Sequence, residues 1–166
     1  SAVMAGMCTL AHGNDIGGSL RFPSVATGAV TLKPGLGRVP AWNSSQTSER
    51  GILAQSMSVQ GLITRSAYDL QLAMPEIIQS DLRDPFHVPM QWDTSHLSEN
   101  SRKVALCFET PGFNTDPEIV KGLKIAADAL SNVGFEIHEV TPPLLEETAK
   151  TGYSALLGEV QALLGL

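Results

Sequence analysis

Asp15-Ile-Gly-Gly-Ser-Leu-Arg21 sets a hydroxyl nucleophile, two glycines and two opposite charges within one short stretch. Gly17 and Gly18 open backbone conformations closed to other residues and let a ligand approach the main chain. Successive amides around such glycines can converge into an anion-binding nest. A serine at the end of that nest, here Ser19, has its hydroxyl beside donors able to stabilise a developing oxyanion. Asp15 and Arg21 flank the turn and are placed to pin its shape with a buried ion pair. Spacing alone leaves a second reading open, in which a Gly-Gly turn is followed by a serine that only caps a helix.

Other candidates are weaker. Leu20 and Arg21 follow Ser19, so the segment departs from the G-x-S-x-G elbow of many hydrolases. A His12-Asp15-Ser19 triad is disfavoured, because triads are assembled from separate segments and this tether is short. His12 reads as a packed histidine at a strand end. Lys33, in Leu-Lys-Pro, would serve as a base if desolvated, but a surface or loop-bracing lysine is the preferred reading. His87 and His96 lie in polar loops without companion ligands at zinc spacing and read as solvated. Cys8 and Cys107 stand far apart and fit neither a metal knuckle nor a disulfide framework. A reducing, cytoplasmic compartment is the expectation, with no metal and no cofactor.

The elements that would position this turn follow from composition and pattern. The chain has 166 residues, of which 43% are hydrophobic and 17% charged, with a net charge of −6. That balance suits a folded chain with much surface laid against other protein, and argues against nucleic acid as a partner. No stretch approaches the ~20 apolar residues of a membrane span. Residues 2–9, small and apolar on every side, predict a buried helix. Pro23 suits the first turn of a helix through about Ala29, and Val30–Lys33 a short strand stopped by Pro34. Residues 34–51 predict a long surface loop and residues 56–63 a strand. Ser66-x-x-Asp69 is a capping box opening a helix with Ala67, Leu70, Met74 and Ile77 on one face. Residues 80–102 read as irregular.

The last third predicts a β-α-β segment over residues 103–140. Lys103–Phe108 is a strand, and Thr115-Asp-Pro-Glu118 a capping box with an early proline. Ile119, Leu123, Ala126, Leu130 and Val133 then carry a helix to the Gly134 stop, and Phe135–Val140 alternates as a strand. The two strands should be parallel with a right-handed crossover, and the class is therefore α/β. Both ends are apolar, and residues 155–166 stop inside a helical pattern, so we expect an internal fragment of a longer chain.

Gly13-Asn-Asp-Ile-Gly-Gly-Ser-Leu-Arg-Phe-Pro23, Gly28-Ala-Val-Thr-Leu-Lys-Pro34 and Gly37-Arg-Val39 resemble the amidase signature family in order and spacing. Met57-Ser-x-x-Gly61, Arg65-Ser-x-x-Asp69 and the β-α-β tail are similar to that family too. The resemblance implies a partial amidase domain over residues 1–166, within a large twisted mixed sheet covered by helices. It implies an amide hydrolase working through a Ser–cis-Ser–Lys triad on a small-molecule substrate. Ser19 matches the acylated nucleophile, and the backbone amides of Ile16, Gly17, Gly18 and Ser19 match the oxyanion hole. Asp15 and Arg21 would support the site. The bridging serine and the triad lysine should lie upstream of Ser1, since Lys33 belongs to the block after the nucleophile. Gly35 and Leu62 depart from the usual Thr or Ser and the frequent Pro. A transamidating subunit acting on mischarged tRNA is the alternative within enzymes, with Phe22 counting mildly against it. A non-catalytic relative binding an anion is the alternative outside them. A homo-oligomer of the full-length enzyme stays open.

Overall fold

The computed structural model describes residues 2–45, 51–93 and 102–165. The chain divides into two units, one running to Trp92 and the other from Asp93 to Leu164.

In the first unit, β1 (Leu10–Asp15) leads through the glycine turn into α1 (Arg21–Thr27) and β2 (Val30–Leu32). α2 (Ile52–Met57), β3 (Val59–Thr64) and α3 (Ala67–Ile77) follow. The strands form an antiparallel sheet in the order β1-β3-β2, with Gly13 opposite Gly61 and Leu32 opposite Leu62. β3 is the central strand, and Val59, Gly61, Leu62 and Thr64 on it are all buried. The core joins Leu62 to Met74, Ile78 and Val39, with Leu32, Leu70, Ile77 and Trp92 packed against it. Ser66 caps α3 as its spacing predicts, accepting the Asp69 N–H at 3.1 Å. α1 ends at Gly28, whose φ of 70° is the left-handed stop that glycine supplies readily.

Three expectations change here. Residues 2–7 form turns with only Val3 buried among them, not a buried helix. Gly6, at φ 75°, reverses the chain after a single turn. Ser56 and Met57 belong to α2, so the strand starts at Val59; Ile52-Leu-Ala-Gln-Ser-Met57 is a short helix whose first four residues fall between the expected loop and the expected strand. The loop after β2 is not all surface either. Val39 is buried in the core, and the Val88 N–H donates to the Gly37 carbonyl at 2.8 Å. The Ala41 N–H donates to Asp84 Oδ2 at 2.7 Å, and Arg38 donates to the carbonyls of Met90 and Gln91. The irregular segment 80–93 thus holds the described part of this loop down. Residues 46–50 and 94–101, where the expected loops continue, lie outside the described residues.

In the second unit, β4 (Lys103–Leu106), α4 (Pro117–Asn132) and β5 (Glu136–Glu139) form the expected β-α-β segment, with the strands parallel and Val104 opposite Ile137. The cap of α4 is Asp116, which accepts the Glu118 N–H at 2.8 Å, rather than Thr115. With Pro117 already in the first turn, the carboxylate directly before it reaches that amide. The half-buried stripe of α4 runs through Val120, Leu123, Ala127 and Leu130, while Ile119 and Val133 are exposed. α5 (Leu145–Leu164) completes the unit. Among the described residues no helix is long and apolar enough to cross a membrane.

Candidate active site

The turn between β1 and α1 is built around one carboxylate. Asp15, the last residue of β1, is wholly buried, yet it lies among N–H donors. Its Oδ1 accepts the Gly18 N–H at 2.9 Å, and its Oδ2 accepts the Leu20 and Arg21 N–H groups at 3.1 and 3.4 Å. The Arg21 guanidinium adds a two-pronged contact, Nε to Oδ2 at 3.1 Å and Nη2 to Oδ1 at 2.9 Å. Planar forks of this kind are the geometry for which arginine is suited. The Arg21 hydrogen bonds hold the Asp15 carboxyl far below the usual carboxylate range; burial opposes them, and the Leu20 and Gly18 amides reinforce them. Arg21 is correspondingly raised, chiefly by the same hydrogen bonds from its side. The pair is less enclosed than the sequence suggested, since the Arg21 side chain is 53% exposed and that of Asp15 is not exposed at all.

This arrangement decides what Ser19 is free to do. Leu20 is the N-cap of α1 and makes no side-chain cap bond. Asp15 instead takes the first amides of the helix and places a negative charge at its N-terminus, where the backbone dipole favours one. Ser19 is therefore not spent as a helix cap. It is exposed, and its hydroxyl has no hydrogen-bond partner among the described residues. Gly18 sits at φ 122°, a conformation that L side chains rarely adopt, and its N–H is turned to Asp15. Of the four amides expected to face an anion, that of Gly18 is thus engaged within the chain. Those of Ile16, Gly17 and Ser19 have no partner among the described residues.

Leu20 fixes the turn from below. Its side chain is fully buried and lies over the cross-strand pair Gly13 and Gly61. Spacing assigns Leu20 no role and marks Gly61 only by resemblance, because nothing in local spacing links residues so far apart. Beside the turn, Ile16 borders a cleft of about 570 Å³ whose lining includes His12, Asn14, Trp42, Ser58 and Gln60. Asn14 Nδ2 donates to Ser58 Oγ, both of them in its lining, at 2.5 Å.

The remaining candidates disperse. His12 is exposed on β1 rather than packed, and Asp15 is committed to Arg21 and the turn amides, so these residues do not form a triad with Ser19. Lys33 is exposed and its Nζ donates to the Pro34 carbonyl at 3.3 Å, a loop brace. His87 is half-buried with its Nε2 enclosed and without a partner among the described residues, not solvated. His96 lies outside the described residues. Among the described residues no group of three His, Cys, Asp or Glu could hold a metal ion.

Fold and site together define a mixed α/β protein that presents a serine on a carboxylate-braced, amide-lined turn. The Amidase family model matches residues 1–164, and the chain belongs to that family. It is 40% identical over 163 residues to an indoleacetamide hydrolase of Bradyrhizobium diazoefficiens, covering 98% of this chain and 31% of that protein. It is 32% identical over 171 residues to a subunit of the glutamyl-tRNA(Gln) amidotransferase of Prochlorococcus marinus, covering 98% and 33%. Among solved structures it is similar to a bacterial aryl acylamidase of the amidase signature enzymes, with a TM-score of 0.71 and 26% identity over 98% of this chain and 34% of that one. The chain thus spans about a third of the length of the curated relatives it matches.

Proposed function

We propose that this chain is the nucleophile-bearing part of an enzyme that hydrolyses carboxylic amides through an acyl-enzyme on Ser19. The observation that carries the reading is the pairing of an exposed, unpartnered Ser19 hydroxyl with the open amides of Ile16, Gly17 and Ser19. Ser19 Oγ attacks the amide carbonyl carbon, and the oxyanion that forms is held by those amides. The C–N bond breaks as the leaving nitrogen takes a proton. Water then hydrolyses the ester and returns Ser19. The Gly18 amide, expected as a fourth donor, contributes instead by tying the turn to Asp15. A serine hydroxyl needs a base within hydrogen-bond reach. We assign that base to a lysine acting through a bridging serine, as the family resemblance implies.

For the substrate we propose an uncharged arylacetamide-type amide, since the indoleacetamide hydrolase relative is the more similar and the amidotransferase reading correspondingly weaker. A cytoplasmic location belongs to the same proposal. The test is labelling of the protein that carries this chain with a fluorophosphonate, alongside ammonia release from a panel of amides. Labelling at Ser19, lost in Ser19→Ala together with ammonia release, is the expected result. A folded protein that stays unlabelled would instead be an anion-binding relative, and glutamine-dependent transfer of ammonia to a second substrate would favour the transamidating reading.

A further inference from the structure

We propose that Gly13 and Gly61 form a notch whose task is to seat Leu20 and thereby set the position of Ser19, making both glycines positioning residues for the acylation step. The inference rests on reading Ser19 as the nucleophile. The two glycines stand directly opposite each other on β1 and β3. Glycine inside a strand weakens it and needs a reason. That reason is not backbone conformation, because neither residue is among the glycines with positive φ. It is space. A Cβ on Gly13 would lie 2.9 Å from Leu20 Cδ2, and one on Gly61 would lie 2.6 Å from Leu20 Cδ1. The leucine methyls occupy the volume that two ordinary side chains would fill.

The same sheet face explains why this seat reaches the chemistry. Side chains two apart on a strand share a face, so Asp15 is the next residue along from Gly13 on that side. Asp15 holds the Leu20 N–H at 3.1 Å while the notch holds its side chain, so Leu20 is fixed at both ends. Ser19 is its covalent neighbour. Any lift of Leu20 out of the notch must carry Ser19 and its amide with it, and a displacement of ~1 Å at a reacting group can cost about a hundredfold in rate.

Gly13→Ala is the cleaner perturbation, because its new methyl meets Leu20 alone, whereas one at Gly61 would also meet the Leu32 carbonyl at 2.6 Å. The experiment measures the rate of Ser19 modification by a fluorophosphonate, with kcat and KM for an amide, in the protein that carries this chain. Gly13→Ala should slow labelling and lower kcat by tenfold or more with KM little changed, and adding Leu20→Val should restore much of the rate. Leu20→Ala, which empties the notch, should slow labelling at least tenfold more than Leu62→Ala. Leu62 is as deeply buried but belongs to the core cluster, so the comparison stands even if Gly13→Ala does not fold. Labelling of Gly13→Ala within twofold of wild type, no recovery in the double variant, or equal effects of the two leucine truncations would overturn the inference while leaving Ser19 as nucleophile. A wild-type protein that is folded but unlabelled at Ser19 would overturn both.

Discussion

Arg21→Ala tests the brace directly. The Asp15 carboxylate is fully buried and receives three backbone N–H groups and two guanidinium contacts. The substitution removes the guanidinium and leaves a buried charge with the backbone donors alone. Stripping one partner from a fully buried pair costs about 3–5 kcal/mol, while an exposed pair is worth about 0–1 kcal/mol. Arg21 is 53% exposed, so water can replace part of what it donated, and the loss should be about 2 kcal/mol. A protein of ordinary stability, about 5–15 kcal/mol, remains folded after such a loss. A fall in Ser19 labelling at 25 °C must then come from altered turn geometry rather than from unfolding. We expect the labelling rate to fall more than tenfold, and Arg21→Lys to recover little of it, since an ammonium restores the charge without the two-pronged fork. Denaturant unfolding and labelling kinetics on the same samples separate the two effects. Unchanged stability with a full labelling rate in Arg21→Ala would refute the reasoning.

Two further outcomes follow from the same turn. Asp15 is held below its unfolded value of about 3.9, so the stability it contributes is fully present above about pH 4 and is lost as pH falls through the depressed value. The gap in unfolding free energy between wild type and Arg21→Ala should therefore be steady from pH 7 to about 5 and narrow below about 4; a gap that widens on acidification would contradict it. Gly18→Ala should nearly abolish Ser19 labelling, because alanine is strained at φ 122° and relief of that strain must rotate the peptide that Asp15 holds. Wild-type labelling kinetics in a folded Gly18→Ala protein would count against the amide-lined turn.

The features legible in the sequence are those settled within a few residues of chain. Asp15 and Arg21 stand six apart and meet; Ser66 finds the Asp69 amide; the period of α4 and the glycine after it mark out the β-α-β segment. Each is a local competition between a side chain and nearby backbone, which spacing records. What spacing missed was decided by distant partners. Val39 enters the core because Gly37, Arg38 and Ala41 are fastened to residues 84–91. The exception is local: hydrophobicity alone makes residues 2–9 a buried helix, yet Gly6 within them turns the chain and leaves most of them exposed.

The candidate site divides along the same line. Its donors and its charge brace lie within residues 15–21 and could be read from type and order. Its floor could not, because Gly61 comes forty residues later and matters through the side chain it lacks. A missing Cβ leaves no mark in hydropathy or periodicity; only strand register shows that Gly61 faces Gly13 and that Leu20 fills the space between them. The spacing that makes the turn recognisable therefore says which atoms are available for chemistry, while the height at which Ser19 is held depends on a pairing of strands. That is why a conservative change at Gly13, two residues before the charged brace begins, should be felt at the serine hydroxyl.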